Sequence, residues 1–74
     1  MFYIVNEIQI MEGVKAVLPY AFDNKKDAEA KYYTILSAAA LSTIDYHGAV
    51  LMSCGNDIAV LMSKAYDNRP TANA

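Results

Sequence analysis

The stretch KKDAEAKYYTILSAAALS, Lys25 to Ser42, is the one segment of this chain with the composition and spacing of an α-helix. Asn24 ahead of it suits an N-cap, because its side-chain oxygen can accept one of the N–H groups that a first helical turn leaves without a partner. Asp27 stands three residues on, in the capping-box position. Ala28, Tyr32, Ile35, Leu36 and Ala39 recur at helical spacing and share one face. A second apolar line runs through Tyr33, Ala40, Leu41 and Ile44, with Ser37 in it. A helix that is apolar on two sides has more to bury than one small sheet can cover, which points to self-association. The helix should end near Ser42-Thr43, where β-branched residues and Asp45 accumulate.

Outward from the helix the pattern changes to alternation. Phe2, Ile4, Ile8 and Ile10 share one side of a strand from Phe2 to Met11, with Asn6 interrupting; Tyr3, Val5, Glu7, Gln9 and Met11 share the other. The first set predicts a core face and the second a mixed face. Glu12-Gly13 is a hairpin-turn signal, and Val14 to Phe22 is the return strand, with Val14, Ala16, Leu18, Tyr20 and Phe22 on one side. Pro19 cannot donate to a ladder, so this strand should lie at a sheet edge or end near Leu18. After the helix, a third strand runs from about Tyr46 to Cys54, Gly55-Asn56 reads as a two-residue loop, and a fourth strand runs from Ile58 to about Tyr66. Both are apolar on both sides, as strands covered on two faces are. Asp67 to Ala74 lacks periodicity and contains Pro70, so it should be loose. The expected architecture is α+β: a single ββαββ domain over residues 1–66. It forms a four-stranded antiparallel sheet in the order 2-1-3-4 with one helix across one face, in an oligomer. The face carrying Tyr3 and Val5 is then left in need of a cover.

Bulk properties also favour association. A chain of 74 residues hides only roughly 60–65% of its unfolded surface, so something must add stability: disulfides, a metal or oligomerisation. One cysteine, Cys54, excludes an intramolecular disulfide, and one histidine, His47, argues against zinc. The 55% apolar content stands above the ~45–50% of globular chains, a reference that counts Gly and omits Tyr. The formal charge of −2 is no footprint for duplex nucleic acid. Lys25, Lys26 and Lys31 gather near the helix start, either as a solvated turn or as an anion site. Neither a signal peptide nor an apolar run of membrane-spanning length is visible, so a cytoplasmic location is expected. No cofactor is expected.

Few residues could carry chemistry. His47 could act as a base with Asp45 to orient it, or could simply be satisfied by a backbone carbonyl. Cys54 abuts a turn with no basic neighbour in sequence and reads as inert. Six tyrosines are many: Tyr20 and Tyr32 fit core faces, while Tyr3, Tyr33, Tyr46 and Tyr66 suit exposed or interfacial positions. The methionines Met11, Met52 and Met62 read as filler, and the small residues Ser37 to Ala40 allow close approach of another backbone.

The block DAEAKYYTILSAAALSTIDYHGAVLM, Asp27 to Met52, resembles a stretch of short, uncharacterised proteins of phages and prophages of gut Firmicutes. Those similarly begin with a Tyr/Ile-rich strand like Phe2 to Ile10. The resemblance rests on Lys31-Tyr32, the run Ser37 to Ala40, and His47 ahead of an apolar strand. It implies a phage-borne accessory protein of the bacterial host cytoplasm, or a virion component, and carries over no functional residue. Two functions follow. One is a small non-enzymatic oligomer that binds and sequesters a small anionic, nucleotide-type ligand such as an immune signal, with Lys31, Tyr33, His47, Tyr66 and Arg69 as ligand-binding residues. The other is a structural or protein-interaction module. An enzyme is not expected, because only His47 is available as a base near neutral pH.

Overall fold

In the computed structural model, which describes residues 1–70, the helix α1 spans Lys25–Leu41. Asn24 caps it as its chemistry predicts. Its Oδ1 accepts the Asp27 N–H at 2.8 Å and its Nδ2 donates to Asp27 Oδ2 at 3.0 Å. At the other end Ser42 turns extended, and its N–H closes on Ala39 O at 3.1 Å. The strands are β1 (Phe2–Met11), β2 (Val14–Phe22), β3 (Tyr46–Cys54) and β4 (Ile58–Asp67). They form one antiparallel sheet in the order β2-β1-β3-β4. Pro19 therefore sits on an edge strand, where its missing N–H breaks no interior ladder.

The helix lies on the opposite face of the sheet from the one that counting apolar residues in β1 suggests. Val5 and Leu51 are the largest fully buried side chains, packed with Ala28, Tyr32, Ile35 and Ala49. Tyr3, Tyr20, Phe22, Leu36 and Met62 close around this cluster. The covered face is thus the Tyr3–Val5–Glu7 side, and Phe2, Ile4, Ile8 and Ile10 point away from the helix. Pleat parity explains this. The two-residue turn Glu12-Gly13 has positive φ at both positions, +51° and +83°, as a type I′ hairpin requires. It places Met11 opposite Val14, so the odd-numbered side of β1 is continuous with Val14, Ala16, Leu18, Tyr20 and Phe22. Phe22 leads into α1 through only Asp23 and Asn24, and the helix folds onto the face to which Phe22 belongs.

Three smaller expectations also change. The β3–β4 loop is Gly55 to Asp57 rather than two residues: Cys54 pairs with Ile58, and Gly55 N–H donates to Asp57 O at 3.1 Å. β4 is not covered on both faces within the chain, since it is an edge strand with Ile58, Ala59, Val60 and Leu61 all exposed. Asp67 and Asn68 are anchored rather than loose. Asp67 completes β4, and Asn68 bonds Asp45 O through its N–H and the carbonyls of Ser42 and Ile44 through its amide. Of the expected loose tail, residues 71–74 lie outside the described residues.

Ala28 and Ala39 are fully buried between helix and sheet, so the helix rides close to the strands only because these side chains are small. Ala39→Glu should force an unpaired charge into that contact, at a cost comparable to the whole stability of a domain this size. The expected outcome is loss of the cooperative thermal transition by circular dichroism. A transition within a few degrees of the parent would show that Ala39 does not face the sheet.

Candidate functional site

Beneath the second half of α1 the covered face turns polar. His47 is the second residue of β3, and its cross-strand neighbours are Gln9 on β1 and Tyr66 on β4. Its Nε2 lies 2.6 Å from Glu7 Oε2, and Gln9 Nε2 donates to the same oxygen at 3.0 Å. The two side chains of the His47–Glu7 pair are 8% and 13% exposed. Burial pushes the Glu7 carboxyl up, but the hydrogen bonds from His47 and Gln9, with the nearby charges of His47 and Lys31, outweigh it. They hold Glu7 below its ordinary value. An ionised Glu7 only accepts, so Nε2 carries the proton of this bond. His47 Nδ1 is buried and has no partner among the described residues. Asp45, expected to orient His47, instead accepts the Glu12 N–H at 3.1 Å and pins the hairpin turn. Glu7 takes the orienting role.

A histidine held by a carboxylate is the base-and-orienter half of a catalytic triad. Here the nitrogen that would meet a substrate is Nδ1, which is buried from solvent. The arrangement acts as a polar clasp between β1 and β3.

The five ligand candidates divide between surfaces. Lys31 lies over the Tyr20 ring, 4.1 Å from its centroid, on the β2 flank of the helix. Tyr33 is exposed over the other flank, meeting Tyr32 edge-on at 5.3 Å and reaching Met62 Sδ at 3.6 Å. His47 is buried, with half-buried Tyr66 beside it; Lys64 lies 5.0 Å from the Tyr66 ring. Arg69 lies beyond β4, paired with Asp67 at 2.7 Å and stacked over Tyr46 at 5.1 Å. The Arg69 guanidinium beside it holds Asp67 down to about 2. His47 and Tyr66 come together, with Lys31 acting on the same carboxylate, Glu7. Tyr33 and Arg69 do not join them.

Among the described residues, the other face of the sheet has no helix. Its strand residues are Phe2, Ile4, Asn6, Ile8 and Ile10 of β1, with the alternate residues of β2, β3 and β4 paired to them. A register shift at Leu51/Met52 brings Val60 and Ile58 to this face. A hollow of about 280 Å3 opens on it, lined by Ile8, Tyr46, Gly48, Val50, Ser63 and Ala65 among others. Gly48 makes the floor. A Cβ there would fall 2.6 Å from both Lys64 O and the Ala65 Cβ, so the close approach of β3 and β4 leaves room only for glycine.

Among the described residues, no group of three or more His, Cys, Asp or Glu could hold a metal ion, and no helix is long and apolar enough to cross a membrane. No family model, curated protein or solved structure matches this chain.

Glu7→Ala should destabilise the fold by ~1.5–3 kcal/mol near neutral pH, the range for hydrogen bonds to a charged group. Because the folded pKa of Glu7 lies below its ordinary 4.5, the ionised side chain contributes fully above that value. The contribution is lost as pH falls through the folded pKa. Urea titrations of parent and variant should therefore differ most near neutrality and converge in acid. A gap that stays constant with pH would assign the loss to packing alone.

Proposed function

We propose that this protein is a non-enzymatic, self-associating binding module that works through its uncovered sheet face. One observation carries the reading: a four-stranded face rich in isoleucine and valine has no cover among the described residues. Ile58 is 71% and Val60 62% exposed on β4, and Val17 59% on β2. Monomeric proteins rarely expose a contiguous apolar surface of several hundred Å2 unless it is used for interaction. The exposed Leu41 and Tyr33 on the helix add a second, smaller apolar surface. The His47–Glu7 pair supports the non-enzymatic side of the proposal, since its free nitrogen is sealed from substrate. Light scattering at micromolar concentration is expected to find no dominant monomer. A clean 8.1 kDa species would overturn the reading.

A second reading keeps the small anionic, nucleotide-type ligand in such an oligomer, sequestered in bacterial cytoplasm. Lys31 favours it. Its ammonium rests on the Tyr20 ring without a salt-bridge partner among the described residues, beside an aromatic surface suited to stacking on a base. Lys31→Ala should weaken binding of such a ligand by ~1.5–3 kcal/mol and leave the oligomer intact. Calorimetry with a panel of cyclic nucleotides tests this, and absence of heat from every member would leave the interaction module alone.

A further inference from the structure

The uncovered face carries its own instructions about what covers it. Its residues form rows across the sheet, in the order β2, β1, β3, β4. One row is Lys15–Ile10–Tyr46–Asp67, and the next is Val17–Ile8–Gly48–Ala65. Among the described residues, Lys15 and Asp67 are the charged strand residues on this face, and Arg69, just past β4, joins the Asp67 edge by pairing with Asp67 and stacking on Tyr46. Lys15 and Asp67 lie in the same row at opposite edges. Ile8 and the Gly48 hollow lie side by side, on β1 and β3, near the middle of the face. Each feature has its complement reflected across the line that separates β1 from β3.

A two-fold axis along that line, parallel to the strands, lays β2 of one copy over β4 of the other and β1 over β3. Resting on the self-association reading above, we propose that two copies pack their open faces together about this axis. Ile8 of each copy then seats in the hollow above Gly48 of the other, and Lys15 of each faces Asp67 of the other.

The charges choose this axis over its alternative. A two-fold axis across the strands would lay Lys15 and Asp67 over the Phe2–Cys54–Ile58 end of the partner, burying both against apolar side chains. Asp67 can receive the lysine. Arg69 takes both Oδ1 contacts and one at Oδ2, and an ionised carboxylate has about four acceptor sites. Asn6, one row along from Ile8, comes over Val50 of the other copy, one strand away from the Ser63 hydroxyl.

The area is sufficient only if the whole face is used. Four strands about 4.8 Å apart, each about 30 Å long, give a flat footprint of roughly 600 Å2 before side-chain relief is added. A standard interface takes about 800 Å2 of accessible surface per partner. Aligned sheets cross at about 30°, so the central Ile8–Gly48 contact keeps its register. The long stem of Lys15 spans the drift at the end row.

Sedimentation equilibrium on the full chain tests the arrangement. The parent should associate in units of two. Ile8→Glu should weaken the dimer about 100-fold or more, as loss of a central anchor does; Ile8→Ala should weaken it less and serves if the glutamate variant fails to fold. Lys15→Glu should weaken it about 10-fold by opposing two like-charged pairs, and Lys15→Glu with Asp67→Lys should restore it. Association unaffected by Ile8→Glu and Lys15→Glu would overturn this arrangement while leaving self-association standing on another surface. Sensitivity to Ile8→Glu without rescue by the double reversal would overturn the axis. A monomeric parent would remove the self-association reading itself.

Discussion

The turn at Glu12-Gly13 sets the parity of the whole sheet. Side chains alternate with a period of two, so a one-residue change in that turn would send every residue of β1 to the other face relative to β2. With Met11 opposite Val14, the aromatic residues Tyr20 and Phe22 join Tyr3 and Val5 under the helix. Glu7 and Gln9 become interior, and the isoleucines of β1 are turned outward. The Asp45 carboxylate holds the turn through the Glu12 N–H, so the segment that follows the helix supports the hairpin that precedes it.

That parity creates a polar interior that the fold must then satisfy. Glu7 loses water under the helix, which disfavours its charge, and recovers it through two donors on one oxygen. The resulting clasp joins β1 to β3, the contact that makes two hairpins into one sheet. It is a specifying interaction: an apolar residue at Glu7 would pack, but would leave His47 with neither nitrogen partnered among the described residues.

Much of the architecture was legible in the sequence because local chemistry announces it. Asn24 and Asp27 mark the helix start, Pro19 marks an edge strand, and Glu12-Gly13 marks the hairpin. The strand order follows from chain connectivity. The face assignment was harder, because Phe2, Ile4, Ile8 and Ile10 form the more apolar side of β1 and invite placement in the core. The turn length already contradicted this by tying Met11 to Val14. Glu7 as the partner of His47 was also within reach. In the order 2-1-3-4 the end of β1 pairs with the start of β3, and Glu7 and Gln9 are the acidic and amide residues there. The folding of Lys31 onto Tyr20, and of Arg69 onto Asp67 and Tyr46, depends on side-chain geometry that spacing does not encode.

The order β2-β1-β3-β4 also bears on how the chain reaches this state. Each hairpin pairs neighbours in sequence, and such pairing closes in microseconds. The sheet becomes continuous only when β1 meets β3, for example Glu7 against Ala49. That step closes a long loop containing the second strand and the helix, at an entropic cost that no hydrogen bond repays until the ends meet. Of the three pairings in this sheet, the β1–β3 seam therefore carries the largest loop-closure cost. Until that seam closes, the isoleucine-bearing strand has an unpaired edge as well as an uncovered face, the combination that makes a folding chain prone to pair with the wrong neighbour.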